Sequence, residues 1–461
     1  MNSIFRKTCF LSYKYLFIVV IILVLLSCKR KKGNNTDDVI ISQTNKLEYE
    51  SKLNWIGHWL GEDRREFLIR ETGNEFEFRN QEIEVNLKFP QELIGNRESE
   101  AQADYVIKLI NSPIPEYDVV WLEGGIYQIV ATKIGDPYWG EKHLVDFSGN
   151  PIFNNGHKDF IINNPHYKNQ MGGIFAGAFM EGYYYALWYN KEVANSIGIT
   201  IKDFGMTYDD FLQYIKAVYS YNKRSNQKVA AIFESSDWIM TSILFQNLYI
   251  SLINKKSPDE QMYKNALNKA LQAFEELGKY KPLVSSYNKN RWYDTRQAPL
   301  NNQSLFYIHG TWMYSHWRGI DEEKMKKMVP VELPVFRKTN HYLGGYLSSF
   351  AVLKNAPNRD NAVKFMLFWC RPSIAEKWVR YTKNPTGLKG NIASSEIGGD
   401  VFEVFQSTIS EKYGSNVSFS QDASYLGGIS TPDNSELNTI IIELLDGKIT
   451  ADEAYSQLVK Q

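Results

Sequence analysis

From Leu53 onward, short apolar strand signals alternate with helices whose two ends are both written in the sequence. That alternation points to an α/β architecture with mostly parallel sheets. Ile83, Val85, Leu87 and Phe89 interleave with Glu82, Glu84, Asn86 and Lys88, the two-residue period of a half-exposed strand. Leu53 to Trp59 gives a first strand signal, and the apolar runs at 117–122 and 228–233 suit buried parallel strands. Ser257-Pro258-Asp259-Glu260 offers an N-cap, a proline at the first helical position and a glutamate three residues on. Tyr263, Leu267, Leu271, Phe274 and Leu277 then form one apolar stripe, and Gly278 fits the stop. Thr207 with Asp210, and Thr450 with Glu453, open two more helices in the same way.

The N-terminus carries a different message. Arg6, Lys7 and Lys14 precede an apolar stretch from Leu16 to Leu26, and Leu25-Leu26-Ser27-Cys28 matches a lipobox. A basic region, a short apolar core and a small-residue cleavage site make a secretory signal, the core being short for a spanning helix. Residues 1–27 are therefore expected to be removed, leaving Cys28 to carry a lipid such as palmitate; an uncleaved anchor is the alternative. Residues 28–50, with Lys29 to Lys32 and a polar stretch after them, are expected to form a flexible tether. The expected location is the cell envelope, outside the cytoplasm, in the periplasm or on the surface.

Lys plus Arg balance Asp plus Glu at 52 each, so no net field favours nucleic acid. Besides Cys9 in the signal and Cys28, only Cys370 remains, which leaves no intramolecular disulfide and no CxxC spacing. Cys370 follows Phe365-Met366-Leu367-Phe368-Trp369 and reads as inert core. The seven histidines show no HxH or HExxH grouping, so neither a metal nor another cofactor is expected. There is no G-x-S-x-G elbow, no P-loop and no eightfold strand–helix alternation.

Four segments, in order, resemble the family 1 extracellular solute-binding proteins, the carbohydrate-type receptors of ABC importers. They are Asp118-Val119-Val120-Trp121 leading to Glu123-Gly124-Gly125; Leu187 to Lys191 with Ile197-Gly198 and Thr207 to Phe211; Gly310-Thr311-Trp312 leading to Gly344-Gly345; and Phe350 to Phe368. Asn384-Pro385-Thr386 and the ending from Asp446 to Ala454 also fit. The long stretch from Ile126 to Tyr183, whose Asn- and Gly-rich part looks like an elaborated loop, and the region 391–432 depart from the pattern. The resemblance implies a two-lobe periplasmic-binding-protein-like fold of the class II type, each lobe a mostly parallel sheet flanked by helices, with a hinge between. One lobe is expected at 51–183 plus about 347–395, the other at 184–346 plus about 396–461. The chain would cross between them near Tyr183 to Leu187 and again near Gly345 to Ser349. It further implies no enzyme activity, a monomer, a small carbohydrate ligand, permease subunits as membrane partners, and attachment through the N-terminal lipid.

With 11 Trp, 29 Tyr and 25 Phe, the chain can supply aromatic plates for the apolar faces of sugars. By the resemblance, Trp312 presents its ring to the ligand, and Trp312→Ala is expected to weaken sugar binding with little loss of stability. Trp238 falls where the family places another ligand-facing residue. Trp59, after His58, ends the first strand signal, and Glu123 follows the next strand at the corresponding edge, where an open α/β sheet faces its crevice. Tyr183 and Tyr185 flank the first crossing, and Gly344, Gly345 and Tyr346 the second. Tyr307, Tyr314 and Trp317 read as packing. Two other classes remain open. A secreted glycoside hydrolase needs two placed carboxylates, for which Glu123 and Asp237 could be nominated; a ligand-sensing surface lipoprotein would share the fold without transport. Within the receptor reading a polyamine, metal chelate or peptide would be an alternative cargo, and the lack of acids concentrated in the motif loops favours a neutral sugar.

Overall fold

A computed structural model describes residues 49–459 except 97, 164–171, 176, 254–258, 286, 340–341, 348–349, 391–404, 406–407, 410–416 and 420–434. The signal, Cys28, the tether up to Glu48, and most of 391–432 lie outside the described residues. The principal helices are α1 (Asp63–Arg79), α2 (Gly124–Ile134), α3 (Tyr208–Arg224), α4 (Thr241–Ile250), α5 (Glu260–Gly278), the short α6 (Trp292–Thr295), α7 (Met313–Met325), α8 (Arg359–Trp369), α9 (Pro372–Thr382), α10 (Ser435–Leu445) and α11 (Ala451–Val459). Among the described residues no helix is long and apolar enough to cross a membrane.

Two sheets organise two lobes. The first has the order β2-β1-β3-β9, from β1 (Ser51–Ile56), β2 (Ile83–Lys88), β3 (Val119–Trp121) and β9 (Phe350–Val352). β1 runs parallel to both β2 and β3, whereas β9 joins β3 antiparallel. β9 arrives from far down the chain, and buried Asp118 fixes it there. Its carboxylate accepts the backbone N–H of Asn54 at 2.8 Å and of Asn358 at 2.9 Å. Around this sheet Trp55 packs against Phe350, Phe365 and Trp369 with ring centroids 5.1, 4.9 and 6.0 Å away. Cys370 sits in the same core, 4% exposed, and burial pushes its thiol up to about 12.

The second sheet has the order β10-β8-β4-β6-β5, with β7 also on β4. Its strands are β4 (Glu181–Asn190), β5 (Ala230–Phe233), β6 (Ser304–Gly310), β7 (Met328–Val331), β8 (Tyr342–Leu347) and β10 (Val417–Phe419). Among the described residues its parallel strand pairs are β5–β6 and β8–β10, whereas β4 pairs antiparallel with β6, β7 and β8. The parallel bias expected from sequence therefore holds in the first sheet, and the second is mixed. The reason is β4, a ten-residue strand whose first half lies against β8 and whose second half lies against β6 and β7. Glu181 to Tyr184 face Leu347 to Gly344, so the two strands that carry the chain between the cores run side by side.

The helix ends are local and largely follow the sequence. Thr207 and Asp210 form a reciprocal capping box at α3, at 3.1 and 2.8 Å, and Thr450 with Glu453 does the same at α11, at 3.3 and 2.8 Å. At α5 the observed cap is Asp259, whose Oδ1 accepts the Met262 N–H at 2.8 Å; Ser257 and Pro258 lie outside the described residues. Leu267, Leu271, Phe274 and Leu277 are buried as expected. Gly278 is not a left-handed stop. It is the last helical residue, and a Cβ there would stand 2.1 Å from the Leu444 carbonyl oxygen, so its role is to let α5 and α10 approach. Part of the expected loop after Gly149 is helical, since Asn150 caps the helix Pro151–Gly156 through its side chain.

Candidate ligand site

β6 is buried along its whole length and ends at Gly310, from which the chain turns at once into α7. Trp312 occupies that turn and folds back over the strand end. A Cβ on Gly310 would stand 1.9 Å from the Trp312 ring, so glycine is the residue that lets the indole lie there. Thr311 anchors the turn to β4: its N–H donates to the Tyr184 carbonyl at 2.8 Å, and its hydroxyl accepts the Tyr184 N–H at 3.1 Å. The half-buried Trp312 ring then meets Tyr183, Tyr185 and His309 edge to face, at 4.9, 5.7 and 5.1 Å. It lies parallel to Trp238 at 5.8 Å, with 9° between the planes.

Trp238 is held by its own loop. Glu234, buried at the end of β5, accepts the N–H groups of Ser235, Met240 and Thr241 at 2.9, 3.2 and 2.8 Å, the last two at the start of α4. Burial pushes its carboxyl up to about 7 against those donors. The Ser235 hydroxyl donates to the Trp238 carbonyl at 3.0 Å, and Asp237 accepts the Trp292 N–H at 2.7 Å. Trp292, on α6, thereby stands perpendicular to Trp238 at 5.1 Å and stacks on His309 at 5.7 Å. His309 is fully buried, and burial drives its pKa well below the ordinary histidine value, so it serves as a neutral wall of the aromatic cluster. Sequence reasoning missed both Trp292 and His309. His309 was within reach, three residues before Trp312 on the strand that carries the motif.

The glycines of β8 complete this group. Gly345 faces Tyr183 across the ladder, and a Cβ on it would stand 2.7 Å from the tyrosine hydroxyl. Gly344 pairs with Tyr184. Tyr346 lies opposite Gly182 and is 7% exposed within the first core. The structure thus brings together Trp312, Trp238, Tyr183, Tyr185 and Gly345. As expected, Tyr307, Tyr314 and Trp317 pack in the adjoining core.

The remaining candidates sit at the end of the first sheet. Trp59 adopts a left-handed φ of 68° and is 5% exposed, wedged against Trp121 at 5.1 Å, Trp378 at 5.3 Å and the Arg65 guanidinium at 5.7 Å. It is packed into the first core rather than standing open as a plate. His58 stacks flat on Trp121 at 3.8 Å, and half-buried Glu123 occupies the N-cap position of α2 without a side-chain capping bond.

A buried polar chain joins this end to α7. Glu62 accepts from Arg65 Nη1 at 3.1 Å and lies 3.5 Å from Nε2 of His316 on α7. Arg65 also grips Glu181, the first residue of β4, through Nη2 and through Nε at 3.1 Å, and Asn384 donates to the same carboxylate at 2.8 Å. Burial pushes the Glu181 carboxyl upward, and the Arg65 charge pulls against that. His316 is in turn perpendicular to Trp292 at 5.5 Å.

Solved structures share this fold. Maltose-bound MalE3 of T. maritima aligns with TM-score 0.62 at 14% identity, over 89% of this chain and 98% of that one. RafE in complex with raffinose aligns with TM-score 0.59 at 14% identity, over 88% and 98%. The GacH receptor of Streptomyces glaucescens, solved unliganded and with acarbose, aligns with TM-score 0.59 at 15% identity, over 89% and 96%. No curated protein sequence matches the chain. The sequence model of one family, described as bacterial extracellular solute-binding protein, matches residues 96–400. On that match, which takes in β3 to β9 and Gly310-Thr311-Trp312, the chain belongs to the bacterial extracellular solute-binding proteins.

Proposed function

We propose that this protein is a lipid-anchored receptor that captures a sugar or oligosaccharide between its lobes and delivers it to an ABC importer. The observation that carries the reading is the aromatic cluster of Trp312, Trp238, Trp292 and Tyr183, built where β4 and β8 carry the chain between the cores. Flat indoles suit the C–H faces of a sugar ring, and planar carboxylates such as Glu123 suit its hydroxyls. The fold it shares with proteins solved with maltose, raffinose and acarbose supports the same ligand class.

In this reading the lobes are 51–183 with about 347–395, and 184–346 with about 396–461. Trp59, Tyr185, Gly344, Gly345 and Tyr346 belong to the site's frame, and Cys28 holds the mature chain to the membrane beside its permease. The protein acts by binding and not by catalysis: a ligand that touches both lobes stabilises the closed arrangement by its differential contacts. The test is a thermal-shift screen of the mature chain over mono- and oligosaccharides, with the sugars assayed afterwards for cleavage. A ligand at 100 times its Kd adds about 2.7 kcal/mol of stability. A set of sugars that shifts nothing, or that is recovered hydrolysed, would sink the proposal.

A further inference from the structure

The buried polar chain at the end of the first sheet also joins the two cores. Glu62 and Arg65 stand at the start of α1, whose Leu68, Ile69 and Phe76 are buried in the first core. His316 lies on α7, whose Met313, Tyr314 and Trp317 pack with Trp188 and Tyr307 of the second sheet. The contact between them, 3.5 Å from His316 Nε2 to Glu62 Oε2, therefore spans the lobes, and the two side chains are 7% and 11% exposed. α7 also reaches the end of α9, where the Ser315 hydroxyl donates to the Thr382 carbonyl at 3.4 Å and Arg318 to the Tyr381 carbonyl at 3.1 Å. His316 is one helical turn past Trp312, whose carbonyl accepts its backbone N–H at 3.3 Å. A swing of the lobes about β4 and β8 acts on this contact and on the aromatic cluster together.

Charge decides what the contact favours. Glu62 and Glu181 share Arg65, so within this chain two carboxylates stand against one guanidinium, and Asn384 adds no charge. A protonated imidazole beside Glu62 supplies a second positive charge where both carboxylates are shielded from water. The groups that oppose it are Arg65, already engaged, Arg318 on α7 itself and Arg296 after α6, which lies over Tyr293 at 3.8 Å; His309 on β6 is neutral. We propose that closure of the lobes takes up a proton at His316, making it a positioning residue that couples sugar capture to pH through Glu62. The inference rests on the sugar-receptor reading above and adds a regulator to it. Swung apart, the two side chains return to water and titrate independently; brought together, they hold the proton. The gain in affinity is therefore fully present below about pH 6.5, the ordinary histidine value, and is lost as the pH rises above it.

The test has a sugar-free arm and a binding arm, both on the mature protein. In small-angle X-ray scattering without sugar, the radius of gyration is expected to fall from about pH 8 to about pH 6. In calorimetric titration with maltose, raffinose and acarbose, the affinity of whichever binds is expected to rise about three- to tenfold over the same range. Titrations near neutrality in buffers of different ionisation enthalpy should show a proton taken up on binding. His316→Gln keeps a donor against Glu62 but cannot be charged, and Glu62→Gln keeps the shape without the carboxylate; each is expected to remove both the compaction and the rise. Glu234, pushed up to about 7, and His58 on Trp121 are the other titratable groups near the site. Neither is touched by those substitutions, so a pH dependence that survives both variants overturns the inference. A neutral imidazole donating from Nε2 would make the same contact with no proton taken up, and a wild-type radius and affinity that are flat with pH would likewise overturn it. If none of the three sugars binds, the receptor reading loses its support and the scattering arm alone decides this inference.

Discussion

Gly310→Ala tests the placement of Trp312 without deleting the ring. The added methyl would stand 1.9, 2.1 and 2.3 Å from three carbons of the indole, where carbon pairs rest at about 3.5–4.0 Å. The ring must therefore retreat by roughly 1.5 Å. It has little room to do so, because Tyr183, Tyr185, His309 and Trp238 all stand within 5.8 Å of its centroid. Overpacking of this kind costs about 1–3 kcal/mol, against which an alanine in place of glycine recovers about 0.4–1 kcal/mol from the unfolded chain. The net expectation is a loss of about 1–2 kcal/mol in urea unfolding, with the m-value unchanged. Displacing the plate should also weaken the best-binding sugar at least tenfold by calorimetry, about 1.4 kcal/mol. Trp312→Ala, run beside it, should lose both binding and about 1–3 kcal/mol of stability, since each aromatic pair contributes about 0.5–1.5 kcal/mol. That revises the expectation, drawn from sequence alone, that stability would be nearly untouched. If Gly310→Ala unfolds and binds like the wild type, the indole does not lie over residue 310 and the argument is wrong.

Two further perturbations probe the frame around the site. His157 is fully buried, its Nδ1 2.8 Å from the Phe153 carbonyl and its Nε2 accepting the Phe179 N–H at 3.1 Å, and burial lowers its pKa to about 4. A depressed value means that the native state favours the neutral ring, so this contribution is present above about 6.5 and lost as pH falls through about 4. The loss amounts to roughly 3 kcal/mol. His157→Asn should flatten the stability profile between pH 6.5 and 4 in urea titrations; an unaltered slope would assign the acid sensitivity elsewhere. Removing one partner of the buried pair, as in Arg65→Met, should cost about 3–5 kcal/mol by stranding Glu181, while Arg65→Met with Glu181→Leu should cost much less. Additive losses in that double-mutant cycle would show that the pair is not coupled.

What the sequence determined by itself is whatever is decided within a few residues. The capping boxes at Thr207 and Thr450 need only a hydroxyl and a carboxylate three positions apart, and the alternation at β2 needs only the pleat. The motif Gly310-Thr311-Trp312 stood out only through its resemblance to a family; that the ring covers the glycine two residues before it is a feature of the structure. The tertiary structure decided what depends on distant partners. Gly278 looks like a helix stop until Leu444 is brought against it, and Trp59 looks like an open plate until Trp121 and Trp378 enclose it. The mixed pairing of β4, and the meeting of Trp238, Trp292 and His309 around Trp312, join segments as distant in sequence as Glu181 and Leu347. Side-chain periodicity reports which face of a strand or helix is buried, but not what covers it. In this protein the covering partner decides which aromatics close into a core and which meet around Trp312.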